Sequence, residues 1–177
     1  TGEFETFDNA HCRFAYRNSI FKSKFKNTLI ITRLNLKLSK IPRVNILYKD
    51  LQNVFNKDGN IEPNPKYVFE TVCSLRRSKL PDVKLLPNCG SFFKNPIVDE
   101  TAHQLLKGKH PDLVSFPTAT GQFKVSAGWL IEKAGWKGRR IGNVGTYDRH
   151  ALIIVNYGAK KGSEIYEFAD TIRSDVF

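Results

Sequence analysis

The order of apolar and polar positions along the chain predicts strands with different surroundings. Residues 28–38 begin with β-branched side chains and end in strict apolar/polar alternation, which is typical of a strand with one buried face and one solvated face. Residues 151–156 are almost continuously apolar, so we expect a fully buried strand there. A short alternating run at residues 3–7 predicts a further strand near the start. The alternating segment favours an antiparallel sheet.

Helical patterns occupy much of the remaining chain. Residues 47–55 form a short amphipathic piece, and Asp8 is expected to cap a helical turn. Ser126 is expected to cap a later helix, and Gly135 to end it. The longer predicted helices cover residues 65–79, 99–106, 126–134 and 164–176. Strands and helices alternate irregularly, which predicts an α+β fold.

The charge balance narrows the classes of partner. The chain has 177 residues, with 28 Lys and Arg against 17 Asp and Glu, for a net charge of +11. Such a charge attracts nucleic acid, phosphorylated metabolites or acidic lipid. No apolar run approaches the ~20 residues that span a bilayer, so no membrane attachment is predicted. The three cysteines form no CxxC pair, which indicates neither a disulfide framework nor a zinc site and favours a reducing cytoplasm.

The clearest candidate chemistry lies in residues 88–96, N-C-G-S-F-F-K-N-P. Gly90 allows a sharp bend, and Ser91, Lys94 and Asn95 offer a hydroxyl, an ammonium and an amide to an anionic ligand. The alternative is a tight turn that leads into a core strand carrying the two phenylalanines, and composition alone favours this alternative. No catalytic triad, zinc-protease motif or phosphate-binding loop is visible. The residues alone therefore predict a basic α+β domain that binds a phosphorylated ligand.

Three motifs in the same order resemble one family of flavoenzymes. They are G-S-F-F-K-N-P at residues 90–96, C-R-F-A-Y-R-N-S-I-F-K at residues 12–22 and A-G-W-L-I-E at residues 127–132. Along essentially its whole length the chain is similar to the UDP-N-acetylenolpyruvoylglucosamine reductases, the MurB family of bacterial cell-wall synthesis. The resemblance implies that residues 1–55 form the end of an FAD-binding α+β domain of the PCMH type. It implies that residues 56–177 form the substrate-binding α+β domain.

The resemblance also implies a reaction and two catalytic residues. FAD is the implied cofactor and NADPH the hydride donor, for reduction of UDP-N-acetylglucosamine enolpyruvate to UDP-N-acetylmuramate. Arg17 matches the arginine that holds the substrate carboxylate, since a guanidinium binds a carboxylate through a fork of donors. Ser91 matches the serine that donates a proton. Without the motifs, a surface role for the arginine and a structural role for the serine are more frequent. The family's catalytic glutamate is expected to be absent from residues 1–177.

Further positions are implied for substrate and cofactor. Tyr48 matches a tyrosine that closes over the diphosphate, and Lys79 a lysine that binds it. His150 stands where some members carry glutamine, and Tyr16 is equally compatible with a core position. Arg76 is assigned to the cofactor, although a cation there also suits the end of the predicted helix. The full substrate-binding set is Tyr16, Tyr48, Lys79, Asn95, Lys124, Lys137 and His150.

Three interpretations of the chain remain open. The first is a C-terminal part of an enzyme of this family, monomeric and cytoplasmic, which is inactive without the flavin-binding part as its partner. The second is a basic module that binds nucleic acid or another polyanion and has no enzymatic activity. The third is a folded remnant that no longer binds substrate. We favour the first, which predicts a UDP-sugar ligand, no membrane partner and no nucleic-acid partner, because the motif residues are retained.

Overall fold

The computed structural model of the protein describes residues 2–57 and 62–176. The chain divides into two compact units, Thr1–Pro42 and Arg43–Phe177. Helices occur together with antiparallel sheets, which confirms the predicted α+β class. The predicted boundary between a flavin-binding and a substrate-binding domain after residue 55 stays a prediction. None of the described helices is long and apolar enough to cross a membrane.

The first unit is organised around a short helix and a pair of phenylalanines. Helix α1 (Asn9–Cys12) begins after Asp8, whose carboxylate accepts a hydrogen bond from the His11 N–H at 2.8 Å. This confirms the predicted cap. The rings of Phe7 and Phe21 meet edge to face with their centroids 5.5 Å apart. This ring contact ties together the segments on the two sides of α1.

The predicted strands at residues 3–7 and 28–38 are wrong, because neither segment forms a strand. Ile30, in the second segment, is 89 % exposed. A strand needs a neighbouring strand to pair its N–H and C=O groups. In the described part of the first unit, the only β pairing is a single bridge between Ala15 and Asn18. The alternating pattern is therefore present without the sheet that it requires.

The second unit begins with two packed helices, α2 (Lys49–Lys57) and α3 (Pro65–Lys79). The Asn64 side chain caps α3 by accepting from the Tyr67 N–H at 2.9 Å, and a proline occupies the first helical position. The predicted helix over residues 65–79 is thereby confirmed. The rings of Phe55 and Tyr67 lie 5.0 Å apart, edge to face. The end of α2 therefore meets the start of α3.

Two antiparallel sheets and three more helices complete the second unit. The strands are β1 (Asn88–Ser91), β2 (Ile97–Val98), β3 (Ser115–Pro117), β4 (Phe123–Val125), β5 (Arg140–Ile141), β6 (Val144–Tyr147) and β7 (His150–Asn156). The first sheet has the strand order β1-β7-β6-β5 and the second β2-β4-β3. The helices are α4 (Glu100–Lys109), α5 (Ala127–Lys133) and α6 (Gly162–Val176). These elements confirm the predicted buried strand and the three later helices.

The main core lies where α5 and α6 pack against the first sheet. Ile154 of β7 and Ile172 of α6 are completely buried, and Trp136 is 1 % exposed. The Trp136 ring meets that of Phe168 edge to face at 5.5 Å, and its Nε1 donates to Asp175 Oδ2 at 2.9 Å. The indole thus packs in the core while its one donor is satisfied. This core includes residues of β7, and β1 of the candidate site pairs with that strand.

Candidate functional site

The end of β1 positions the candidate chemistry of residues 88–96. Gly90 has a φ of +60°, a conformation that strains a residue with a side chain, and its N–H donates to Asn88 Oδ1 at 3.0 Å. The pairing of β1 with β7 shifts register between Asn88 and Ser91, and Ser91 lies opposite Ile153. Ser91 itself is exposed. The bend therefore leaves the predicted proton donor at the solvent-facing end of the strand.

The two phenylalanines of this stretch lie beyond the strand. β1 ends at Ser91, and the Phe92 N–H still donates to the Leu152 carbonyl at 2.9 Å. Phe93 packs partly buried against the main core, while Phe92 is 37 % exposed. The alternative of a core strand built on both phenylalanines is therefore wrong. One ring anchors the loop and the other remains near its surface.

Asn95 joins this loop to α5. Its Oδ1 accepts a hydrogen bond from the N–H of Ala127 at 2.9 Å. The Ser126 hydroxyl accepts from the Trp129 N–H at 3.2 Å, which confirms Ser126 as the cap of α5. The first N–H groups of a helix lack partners within the helix, so these two side chains satisfy groups that need an acceptor. The carbonyl end of the Asn95 amide is structural, and the NH2 end is the one that would meet an anionic ligand.

Lys124 and Arg76 are placed by regular elements. Lys124 occupies the middle of β4, and its Nζ lies 5.7 Å from the centroid of the Phe116 ring. Arg76 is exposed in the last turn of α3, and its carbonyl accepts from the Leu80 N–H at 2.8 Å. The helix dipole favours a cation at that position, so the simple capping interpretation fits Arg76. The predicted roles of both residues, in substrate and cofactor binding, stay predictions.

Charged groups converge most closely at Tyr48, Asp50 and Lys79. Nζ of Lys79, the last residue of α3, lies 2.5 Å from Oδ2 of Asp50 in the first turn of α2. The same Nζ lies 5.9 Å from the centroid of the Tyr48 ring. Because α2 and α3 run side by side, the start of one helix brings Tyr48 and Asp50 to the end of the other.

Hydrogen bonds set the protonation states of these three groups. The hydrogen bond from Lys79 has the largest effect on Asp50 and that from Tyr48 the next largest, and both hold the pKa of this carboxylate below its ordinary value. The hydrogen bond to Asp50 raises the pKa of the Tyr48 phenol and also that of the Lys79 ammonium. At neutral pH the cluster is therefore a carboxylate that accepts from an ammonium and interacts with a neutral phenol.

A histidine and a second lysine adjoin Lys79. Burial lowers the pKa of His150, and the charges of Lys79 and Lys137 lower it further. Nδ1 of His150 accepts from the Leu152 N–H at 3.3 Å, which fits a neutral imidazole. Lys137 is paired with Glu132 at 2.8 Å. The charges of Lys79, at the end of α3, and of Lys137, in the loop before β5, thus both act on His150 at the start of β7.

Sequence reasoning did not single out Arg149 or Asp50, which both bond to residues in the last turn of α3. Nη1 of Arg149 donates to the carbonyl of Ser78 at 3.2 Å, which joins the turn between β6 and β7 to the last turn of α3. These two residues are 71 positions apart, and no local pattern indicates their contact. Asp50 did carry a signal, since it is an acidic residue at the start of the amphipathic segment, two positions after Tyr48.

Arg17 and Tyr16 lie in the first unit. They form the tip of a turn that is closed by two backbone hydrogen bonds between Ala15 and Asn18, at 3.0 and 3.1 Å. Arg17 is exposed, has a φ of +55°, and accepts at its carbonyl from Nζ of Lys22 at 3.4 Å. A left-handed conformation is uncommon outside glycine and asparagine, and here the turn imposes it. The predicted catalytic role of Arg17 and the supporting role of Tyr16 stay predictions.

Comparison with known proteins relates the chain to one enzyme family. The model of the C-terminal domain of UDP-N-acetylenolpyruvoylglucosamine reductase matches residues 81–177. Proteins named UDP-N-acetylenolpyruvoylglucosamine reductase are 45 % identical over 176 residues in Polynucleobacter asymbioticus, 42 % over 175 in Pseudomonas aeruginosa and 42 % over 175 in Bordetella pertussis. Each alignment covers 99 % of this chain, but only 50, 51 and 50 % of the respective relative. The chain spans about half the length of the curated relatives that it matches.

Proposed function

The chain belongs to the UDP-N-acetylenolpyruvoylglucosamine reductase family, and from this membership we propose that it is the substrate-binding part of an enzyme of peptidoglycan synthesis. The proposed reaction reduces UDP-N-acetylglucosamine enolpyruvate to UDP-N-acetylmuramate. The observation that supports this assignment best is the position of Lys79, whose Nζ lies 5.9 Å from the centroid of the Tyr48 ring and whose charge, like that of Lys137, acts on His150. A basic donor at the end of α3 and a neutral donor just before α2 thus lie side by side, which suits the binding of a diphosphate.

The proposed diphosphate site combines charge with neutral donors. Lys79 and Lys137 supply ammonium groups, and the Tyr48 hydroxyl supplies a neutral donor. His150 replaces the glutamine of some members with a group that also donates a hydrogen bond when neutral. Both lysines are paired with carboxylates, so the net field of the site is moderate. A moderate field suits an anion that must bind and then leave.

The proposed chemical roles fall to Arg17 and Ser91. FAD, reduced by NADPH, supplies the hydride when it is bound. The Arg17 guanidinium would bind the carboxylate of the enolpyruvyl group and stabilise the negative charge that develops there. The exposed Ser91 hydroxyl would give its proton to the carbon that bears this carboxylate, next to the carbon that accepts the hydride, and regain one from solvent. Together the hydride and this proton account for the two hydrogens added across the double bond.

Among the described residues we assign one toward FAD. Arg76 is exposed on the last turn of α3, and an exposed guanidinium fits a phosphate of a nucleotide cofactor through bidentate hydrogen bonds. Arg76 would therefore hold such a phosphate at the edge of the site. The three cysteines, Cys12, Cys73 and Cys89, are free thiols, which supports the proposed cytoplasmic location. A monomeric state remains a prediction.

The flavin-binding part of the enzyme is the proposed partner of the first unit. The alternating segment that failed to form a strand leaves its apolar side chains in solvent, with Ile30, Leu34, Leu36 and Leu38 all strongly exposed. Alternation of this kind is what a strand shows when one face packs on a core. Because the relatives are about twice as long as this chain, we propose that their additional half contains the sheet that this segment joins.

Calorimetric titration of the purified chain with UDP-N-acetylglucosamine enolpyruvate tests the proposed function. Lys79→Ala should weaken binding about tenfold at low salt and still clearly at moderate salt, because it removes a direct charge-assisted hydrogen bond as well as an attraction that salt screens. Lys66→Ala is the matched control, since Lys66 lies at the other end of α3 and its loss changes the net charge equally. We expect the control to bind as tightly as the unchanged chain.

Two results would contradict the proposal. One is the absence of saturable binding to the UDP-sugar. The other is an equal loss in the Lys66 and Lys79 variants, which would indicate attraction by net charge alone. Tight, salt-sensitive binding to an arbitrary oligonucleotide in either case would favour the polyanion-binding alternative.

A further inference from the structure

The two residues proposed to close on the diphosphate already share an acceptor within the protein. Asp50 accepts a hydrogen bond from Nζ of Lys79 at 2.5 Å, and its interaction with the Tyr48 hydroxyl also lowers its pKa. A carboxylate offers an ammonium and a phenol the same kind of anionic oxygen that a phosphate offers. Asp50 therefore imitates the group that the site is proposed to bind.

The helical hairpin favours this arrangement. Asp50 lies in the first turn of α2, where the helix dipole stabilises an anion, and Lys79 lies in the last turn of α3, where it stabilises a cation. The two helices thus present opposite charges at adjacent ends. The pair is still accessible, since the Lys79 side chain is 44 % and the Asp50 side chain 29 % exposed. Partly exposed ion pairs are weak, so a better acceptor can replace one partner.

We infer that Asp50 is an internal counter-ion that occupies the diphosphate-binding donors Lys79 and Tyr48 and is displaced when the diphosphate binds. This inference rests on the proposed function, because it requires that these donors meet a diphosphate. On binding, the donors exchange one anionic acceptor for another, and Asp50 either turns away or remains as a like charge beside the ligand. Both outcomes reduce the affinity relative to a site without the carboxylate.

The counter-ion has a use in the ligand-free protein. Lys79 lies close enough to His150 for its charge to lower the pKa of that histidine, and Lys137 acts on it in the same way. Without Asp50, less negative charge would balance the positive charges of Lys79 and Lys137, and the Lys79 side chain would be less ordered. Asp50 therefore holds Lys79 and Tyr48 together for the ligand while limiting the affinity, which favours product release.

Substitution of the carboxylate by its neutral isostere tests the inference. Asp50→Asn keeps an acceptor oxygen for Lys79 and Tyr48 but removes the competing charge. In calorimetric titration with UDP, the affinity of this variant should rise about two- to fivefold at low salt, and the gain should shrink as salt screens it. Asp170→Asn is the control, because Asp170 forms an ion pair with Arg173 on α6 and its loss changes the net charge equally. The control should bind UDP as the unchanged chain does.

A measurement on the unchanged chain avoids any effect of substitution on folding. Carboxyl-carbon NMR of chain labelled at aspartate would follow the titration of Asp50 with and without saturating UDP. Since UDP takes away its donors and adds a negative neighbour, the pKa of Asp50 should rise from its lowered position in the ligand-free protein. Asp112, which is paired with Lys133, provides an internal reference.

The outcomes separate this inference from the function on which it rests. If the unchanged chain binds UDP and Asp50→Asn binds it equally or more weakly, Asp50 is not a competitor and the inference is overturned. An unaltered Asp50 titration at saturating UDP overturns it as well. If the unchanged chain does not bind UDP at all, the proposed function fails together with the inference.

Discussion

Oδ1 of Asn95 lies 2.9 Å from the backbone nitrogen of Ala127, and this contact joins the candidate loop to the first residue of α5 across 32 positions of sequence. The hydrogen bond fixes which end of the amide faces the helix. It leaves the NH2 group as the proposed donor to substrate. One side chain thus has a structural end and a binding end, and substitutions can separate the two.

Asn95→Asp should keep the fold and weaken binding. The aspartate retains an oxygen that accepts from Ala127, so the free energy of unfolding should change by less than about 1 kcal/mol. The new negative charge replaces the donor, and UDP should bind about tenfold more weakly or worse because like charges repel. Asn95→Ala should instead lower the free energy of unfolding by about 0.5–2 kcal/mol, as happens when the acceptor of a helix cap is removed. Urea unfolding and calorimetry measure the two quantities, and equal stability losses in both variants would contradict this division.

His150 should make stability depend on pH. Its pKa in the folded chain lies below the ordinary 6.5, chiefly because of burial, so the folded state favours the neutral ring. As the pH falls through the ordinary value, the unfolded chain takes up a proton that the folded chain does not. The free energy of unfolding should therefore be highest above the ordinary pKa and should decrease as the pH falls from there toward the lower pKa of the folded state. His150→Gln keeps polar groups but does not titrate there, so urea unfolding between pH 8 and pH 5, a range set by the ordinary histidine pKa of about 6.5, should show a smaller decline in this variant. Parallel profiles would refute the expectation.

Asp175 should matter to stability as an acceptor rather than as a charge. It accepts from Nε1 of Trp136, whose indole is 1 % exposed. Asp175→Ala leaves a buried donor unpaired and should cost about 1–3 kcal/mol of unfolding free energy. Asp175→Asn keeps an oxygen in place and should cost less than about 1 kcal/mol. Thermal or urea unfolding distinguishes the two, and an equally large loss in the asparagine variant would assign the effect to charge.

The two isoleucines Ile154 and Ile30 should respond oppositely to truncation. Ile154 is completely buried in β7, so Ile154→Ala should lower the unfolding free energy by about 2–5 kcal/mol. Ile30 is 89 % exposed, and Ile30→Ala should change it by less than about 0.5 kcal/mol. A large loss at Ile30 in this chain alone would mean that the segment packs against something within it. The comparison therefore also tests the proposal that its partner lies in the other half of the relatives.

Local patterns were sufficient for the helices. Asn64, Asp99 and Ser126 each precede a helix and cap it through a side-chain hydrogen bond, and signals of this kind are contained in a few consecutive residues. The apolar run of β7 was likewise enough to predict a buried strand, since the composition of a fully buried strand differs from that of its surroundings.

The segment at residues 28–38 was not predictable in the same way. Its alternation describes a surface that could pack as a strand, but a strand forms only where another strand accepts its hydrogen bonds. The described first unit offers one isolated bridge and no sheet. Local sequence therefore predicted a preference, and the described residues of this unit contain no strand that pairs with the segment.

The amino-acid sequence by itself determined the α+β class, the capped helices, the buried strand and, through three motifs, the family. Only the tertiary structure decided that Asp50 forms an ion pair with Lys79, and that the charge of that lysine lowers the pKa of His150. The physical reason is range. A cap or a periodic stripe is read from neighbours in sequence, whereas an ion pair between helix ends, or a pKa lowered by burial, exists only once distant segments have packed together.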